Sequence, residues 1–88
     1  DKVWRLPIDK DLAKCNESKR ADIKNSGGRP GGSITAGLFV RAFAGKKPWM
    51  HMDIAATAYN DSDNGRQPEG ATGCGVELLY DTAKTLFE

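Results

Sequence analysis

Between Asn25 and Phe39 the chain reads NSGGRPGGSITAGLF, five glycines in fifteen positions leading into an apolar run. Glycine loses more backbone freedom on ordering than any other residue, and proline has no amide hydrogen to give to a ladder. Gly27, Gly28, Gly31 and Gly32 with Pro30 among them therefore exclude regular structure up to that point, and Ser33 or the glycine before it starts a helix reaching about Ala44. On this helix Ile34, Leu38, Phe39, Ala42 and Phe43 form a broad apolar stripe, Ala36, Gly37, Val40 and Ala44 form a second face of small residues, and Arg41 is the only charge. A helix apolar on nearly every side is covered by two layers, and a small-residue face lets another backbone come close.

Supplying those layers is difficult for a chain of 88 residues. A domain of this size hides only about 60 to 65% of its unfolded surface. Val, Leu, Ile and Phe together make up 16 of the 88 residues, slightly under the ~20% below which a highly charged chain is read as disordered. Net charge is only +1, so the composition points instead to apolar surface covered by polypeptide outside this sequence. The opening without Met fits the same expectation.

Charge is unevenly spread. Residues 1–30 hold eight bases and five acids, residues 31–60 three and one, and residues 61–88 two and six. Lys14, Lys19, Arg20, Lys24 and Arg29 are interrupted by Glu17 and Asp22, with no aromatic residue between them for base stacking, so a solvated face is expected and no nucleic-acid partner. Cys15 and Cys74 are too few and too far apart for a disulfide framework or a zinc knuckle, which suits a reducing compartment. No apolar run approaches the ~18 residues a membrane span needs, and no membrane partner is expected.

The remaining pattern predicts a short strand or extended entry at Val3–Pro7, a weak amphipathic helix from Ile8 to about Glu17 and a short extended piece at Ala21–Asn25. WMHMDIA, Trp49–Ala55, alternates as a strand does, with His51 and Asp53 on one side. Residues 56–72 form a long loop, and Val76, Leu79, Tyr80, Ala83, Leu86 and Phe87 mark a final amphipathic helix. Helix, strand and helix separated by loops is an α/β pattern.

Several residues invite a chemical reading. A phosphate-binding loop needs Lys before its Ser or Thr, and Gly32 stands before Ser33; the dinucleotide fingerprint fails on glycine spacing. Arg29 near a helix start could face an anion, but close packing explains the turn more simply. His51 and Asp53 are two metal-ligand types without a third, and a satisfied, half-buried pair is the simpler account. Ser33 with His51 and Asp53 supplies the residue types of a triad, yet nothing around Ser33 resembles a nucleophile elbow, and helix capping accounts for it. Cys74, between Gly73 and Gly75 at a helix start, is read as a small residue in a tight turn.

NSGGRPGGSITAGLF, then PWMHMDIAATAY, then GATGCGVELL, in this order and at these spacings, resemble the end of the catalytic domain of the leucyl aminopeptidases, the dinuclear-metal cytosolic aminopeptidases of family M17. VWRLP and the helix after it look like the segment preceding these motifs there, so residues 1–88 resemble the C-terminal part of that domain, incomplete as a domain. The resemblance implies a mixed-sheet α/β metallo-aminopeptidase domain and a cytoplasmic homo-hexamer. It implies two divalent metal ions (zinc, manganese or magnesium) that polarise the scissile carbonyl and generate hydroxide, and removal of N-terminal residues from peptides. The family's metal-binding acids, catalytic lysine and arginine lie upstream, and no NTDAEGR-like stretch occurs here. No catalytic residue or metal ligand is therefore assigned within this chain, which alone is expected to be inactive.

Only pocket roles carry over. Ala55 and Ala58, in DIAATA, look like residues lining the pocket for the substrate's N-terminal side chain, and Ser26 resembles a position near the second side chain. The rest of the same domain is then the chain's principal partner. The alternative is a non-catalytic fragment or interaction module with no activity of its own.

Overall fold

The computed structural model describes residues 1–88. Three helices and one two-stranded sheet are present, distributed over two compact units, Trp4–Met52 and Asp1–Val3 with Asp53–Glu88. Helices and strands in one chain agree with the α/β class.

In the Trp4–Met52 unit, helix α1 (Lys10–Ala13) starts at Asp9, whose Oδ1 accepts the Asp11 amide at 2.8 Å, and passes directly into a 3-10 turn, Lys14–Asn16. The helix expected from Ile8 to Glu17 is thus present but shorter, half of it wound as 3-10. Helix α2 (Gly32–Ala44) keeps the expected bounds. Its cap is Gly31, at φ 62°, a left-handed conformation that β-carbons disfavour. The Gly31 carbonyl accepts the Ile34 and Thr35 amides at 3.0 and 2.9 Å. Ser33 therefore lies inside the first turn, and the backbone caps the helix in place of its hydroxyl.

The centre of this unit is polar. Asn16 and Thr35 are 3% and 2% exposed, the Asn16 Nδ2 donates to the Thr35 carbonyl at 2.8 Å, and the Asn16 carbonyl accepts the Lys24 amide at 2.7 Å. Gly27 passes so close that a β-carbon there would stand 2.7 Å from Asn16 Oδ1 and 2.9 Å from Thr35 Cβ. On the small face of α2, a β-carbon at Gly37 would lie 3.3 Å from the His51 ring, which is the close approach that face was expected to permit.

In the second unit, β1 (Tyr59–Asn60) pairs antiparallel with β2 (Gly70–Ala71), Tyr59 opposite Ala71 and Asn60 opposite Gly70. Helix α3 (Val76–Phe87) follows as expected. The intervening loop is ordered by its own side chains: Asn60 Nδ2 donates to the Gln67 and Pro68 carbonyls, and Asn64 Oδ1 accepts the Arg66 and Gln67 amides.

Some expectations are corrected. Trp49–Ala55 is not a strand, Ala21–Asn25 forms bends, and residues 56–72, expected as one loop, hold the β1–β2 pair; Val3–Pro7 joins no ladder, which leaves its reading as an entry segment. Alternation marks a segment able to make a strand, but a strand exists only where another backbone offers the matching donors and acceptors, and within these residues only 59–60 and 70–71 do so. His51 and Asp53 consequently share no strand face.

No apolar side chain is buried. On α2 Phe43 is 72% exposed, and along α3 Val76, Leu79, Tyr80, Leu86 and Phe87 are all exposed. Ile34, Leu38 and Phe39 of α2 are half-buried, whereas the α3 stripe lies uncovered, an apolar face of the kind that two-layer packing needs. No helix is long and apolar enough to cross a membrane.

Candidate functional site

Ala55 and Ala58 stand on one turn. Asp53 Oδ1 accepts the Ala55 amide at 3.0 Å, an Asx arrangement that bends the chain as it leaves Asp53. The Ile54 carbonyl then accepts the Thr57 amide at 3.0 Å and the Ala58 amide at 2.9 Å, closing a single helical turn that stops there. Ala58 is half-buried and Ala55 exposed. Two methyl groups on a short turn make a small apolar surface, with the Ala55, Thr57 and Ala58 amides all hydrogen-bonded within the turn.

The turn is tied to the start of α3. The Thr72 amide donates to the Ala58 carbonyl at 2.9 Å, and the Thr72 hydroxyl donates to the Thr57 carbonyl at 2.6 Å. The same hydroxyl oxygen accepts the Cys74 amide at 3.2 Å, and Cys74 Sγ lies 3.1 Å from Thr57 Oγ1. Gly75, at φ 89°, caps α3 without a side chain of its own. A β-carbon there would come 3.7 Å from Ile54 Cγ2, ordinary contact, so the left-handed backbone is what selects glycine. Asp1 supplies the missing acceptor: its Oδ2 receives the Gly75 and Leu78 amides at 3.2 and 3.3 Å. A carboxylate at this end also suits the helix dipole.

Ser26 lies in the other unit, exposed, on a groove of about 250 Å³ whose walls include Gly27, Gly28 and Thr35. Arg29 is exposed, its carbonyl accepting the Gly32 amide at 3.2 Å. His51 packs on Gly37 and stacks with Trp49 at 6.4 Å between ring centres, while the Arg41 guanidinium lies 5.8 Å from the Trp49 ring. The Trp49 indole nitrogen is buried without an acceptor. Ser33 and His51 belong to one unit and Asp53 to the other. Cys15 and Cys74 are free thiols, and Cys74 occupies the tight turn expected of it. No group of three or more His, Cys, Asp or Glu side chains converges to hold a metal ion.

Sequence reasoning missed Thr57, Thr72 and Asp1. Thr72 lies 15 positions from its carbonyl partner and Asp1 lies 74 from Gly75; no local spacing announces such pairs. The one available signal was a threonine just ahead of the Gly73–Gly75 turn, since a threonine hydroxyl can take the backbone amide two residues on.

The catalytic-domain model of the cytosol aminopeptidase family matches residues 1–80. Three relatives each carry the name "Probable cytosol aminopeptidase". That of Treponema denticola is 54% identical over 80 residues, covering 89% of this chain and 17% of the relative. That of Trichormus variabilis is 48% identical over 81 residues, covering 92% and 16% respectively. That of Alkaliphilus metalliredigens is 46% identical over 86 residues, covering 98% and 17%. The chain thus spans about a sixth of the length of the curated relatives it matches. With the glycine turn, the DIAATA turn and the GATGCG helix entry all inside the matched residues, the chain belongs to the cytosol aminopeptidase family, peptidase family M17, as a segment of its catalytic domain.

Proposed function

We propose that the Ala55–Ala58 turn lines the substrate pocket of a metal-dependent aminopeptidase that removes N-terminal residues from peptides. What supports the reading is the coincidence of the family match with a rigid turn presenting the Ala55 and Ala58 methyl groups. An N-terminal side chain laid against that surface leaves water, a gain of about 0.8 kcal/mol per buried methylene. The Ala55, Thr57 and Ala58 amides are already paired, so they do not compete with the substrate backbone. Ser26, on its small groove, serves the second side chain of the peptide.

The exposed stripe of α3 and the exposed Phe43 of α2 pack against the rest of the catalytic domain, which also carries the mixed sheet. Two divalent ions, zinc, manganese or magnesium, belong to that remaining part in this reading, since residues 1–88 hold no NTDAEGR-like stretch. The full-length enzyme is a cytoplasmic homo-hexamer in this reading, and residues 1–88 by themselves hydrolyse nothing.

The test uses the full-length protein bearing this sequence. Its mass should correspond to a polypeptide of several hundred residues, and with manganese it should hydrolyse leucine amide. A metal-loaded, folded protein that leaves leucine, phenylalanine and alanine amides untouched would overturn the proposal.

A further inference from the structure

We infer that Thr72 is a positioning residue that aims the Ala58 wall of the pocket and thereby sets which N-terminal side chains are accepted; this rests on the pocket reading above. The direction of a β-carbon is decided by the two peptide planes that meet at its Cα. At Ala58 one plane carries the Thr57 carbonyl and the Ala58 amide, and the other carries the Ala58 carbonyl. Thr72 holds both: its hydroxyl donates to the Thr57 carbonyl at 2.6 Å and its amide donates to the Ala58 carbonyl at 2.9 Å. The Ala58 amide is taken by the Ile54 carbonyl at 2.9 Å, so the first plane is gripped from either side.

The backbone bond from Thr72 continues the short β1–β2 ladder, and any residue but proline would make it. The hydroxyl bond depends on the side chain. Without it the Thr57 carbonyl loses that donor, and the first plane is held only through the Ile54 contact. Because Thr72 Oγ1 also accepts the Cys74 amide at 3.2 Å, the wall is registered to the entry of α3, whose position Asp1 fixes through Gly75 and Leu78. Thr72 acts on the substrate through Ala58.

The experiment compares Thr72→Val, which keeps the shape and removes the hydroxyl, with Thr72→Ser, which keeps the hydroxyl, both in the full-length protein. Two readouts are taken. The first is the ratio of kcat/KM for leucine, phenylalanine and alanine amides. Thr72→Val should shift the leucine-to-alanine ratio by about 2- to 10-fold, mostly through KM, as expected for one lost hydrogen bond. Thr72→Ser should restore the original ratio. The second readout, independent of activity, is amide hydrogen exchange across residues 54–60, which should accelerate in Thr72→Val by about the same factor and return in Thr72→Ser.

Unchanged exchange in Thr72→Val overturns the inference, as does a uniform fall in kcat at constant selectivity, or Thr72→Ser behaving as Thr72→Val. If the parent protein cleaves no amide, the pocket reading fails separately, and the exchange data alone decide whether Thr72 holds the turn. Should Thr72→Val not fold, Thr72→Cys, similar in size and a weaker donor, replaces it.

Discussion

The Asp1 carboxylate accepts the Gly75 amide at 3.2 Å, joining residues 74 positions apart at the head of α3. Gly75 has no side chain to cap the helix, and the Leu78 amide, 3.3 Å from the same oxygen, is the second orphan donor satisfied. Replacing Asp1 by alanine in the full-length protein should destabilise α3 by about 0.5–2 kcal/mol, the range for losing an N-terminal cap. Asp1→Asn should lose less, since it keeps an acceptor oxygen while giving up the charge. Chemical denaturation distinguishes the two; equal stability of all three proteins would contradict the capping role.

Ala58 is half-buried on its turn, and its methyl group is the pocket surface proposed to face the first side chain. Enlarging it to methionine should fill part of that space. In the full-length enzyme Ala58→Met is expected to shift preference away from phenylalanine and leucine toward alanine amide by about 1–3 kcal/mol in relative kcat/KM. Equal selectivity across the three amides before and after substitution would remove Ala58 from the pocket.

Gly27 runs against the polar centre of its unit, where a β-carbon would meet Asn16 Oδ1 at 2.7 Å and Thr35 Cβ at 2.9 Å. Its φ is not in the left-handed region, so the constraint is space. Asn16 Oδ1 is buried and has no N–H or O–H donor. Gly27→Ala should therefore cost about 1–3 kcal/mol by overpacking, visible as a lowered Tm. A wild-type Tm would show that Asn16 and Thr35 yield freely.

Asn16 Nδ2 donates to the Thr35 carbonyl at 2.8 Å, with both residues almost fully buried. Asn16→Asp preserves size but sets a carboxylate against that carbonyl and removes the donor. A loss of about 1–3 kcal/mol or more is expected, since a buried charged group is left without its partner. Denaturant midpoints of the variant and the parent measure it, and coincident midpoints would exclude a structural role for this bond.

Local pattern was enough for the two long helices, because a 3.6-residue apolar period and glycines at the entry are properties of neighbouring residues. It foretold α2 from Gly32 to Ala44 and α3 from Val76, and the small face at Gly37 against which His51 packs. The motif order also sufficed to place the chain in its family. Alternation at Trp49–Ala55 misled because pairing, which no single segment can supply, decides whether an extended run becomes a strand; the ladder formed instead between Tyr59–Asn60 and Gly70–Ala71. Tertiary structure alone brought Thr72 to Thr57 and Asp1 to Gly75, since hydrogen bonds between residues 15 and 74 positions apart leave no period in the sequence to read.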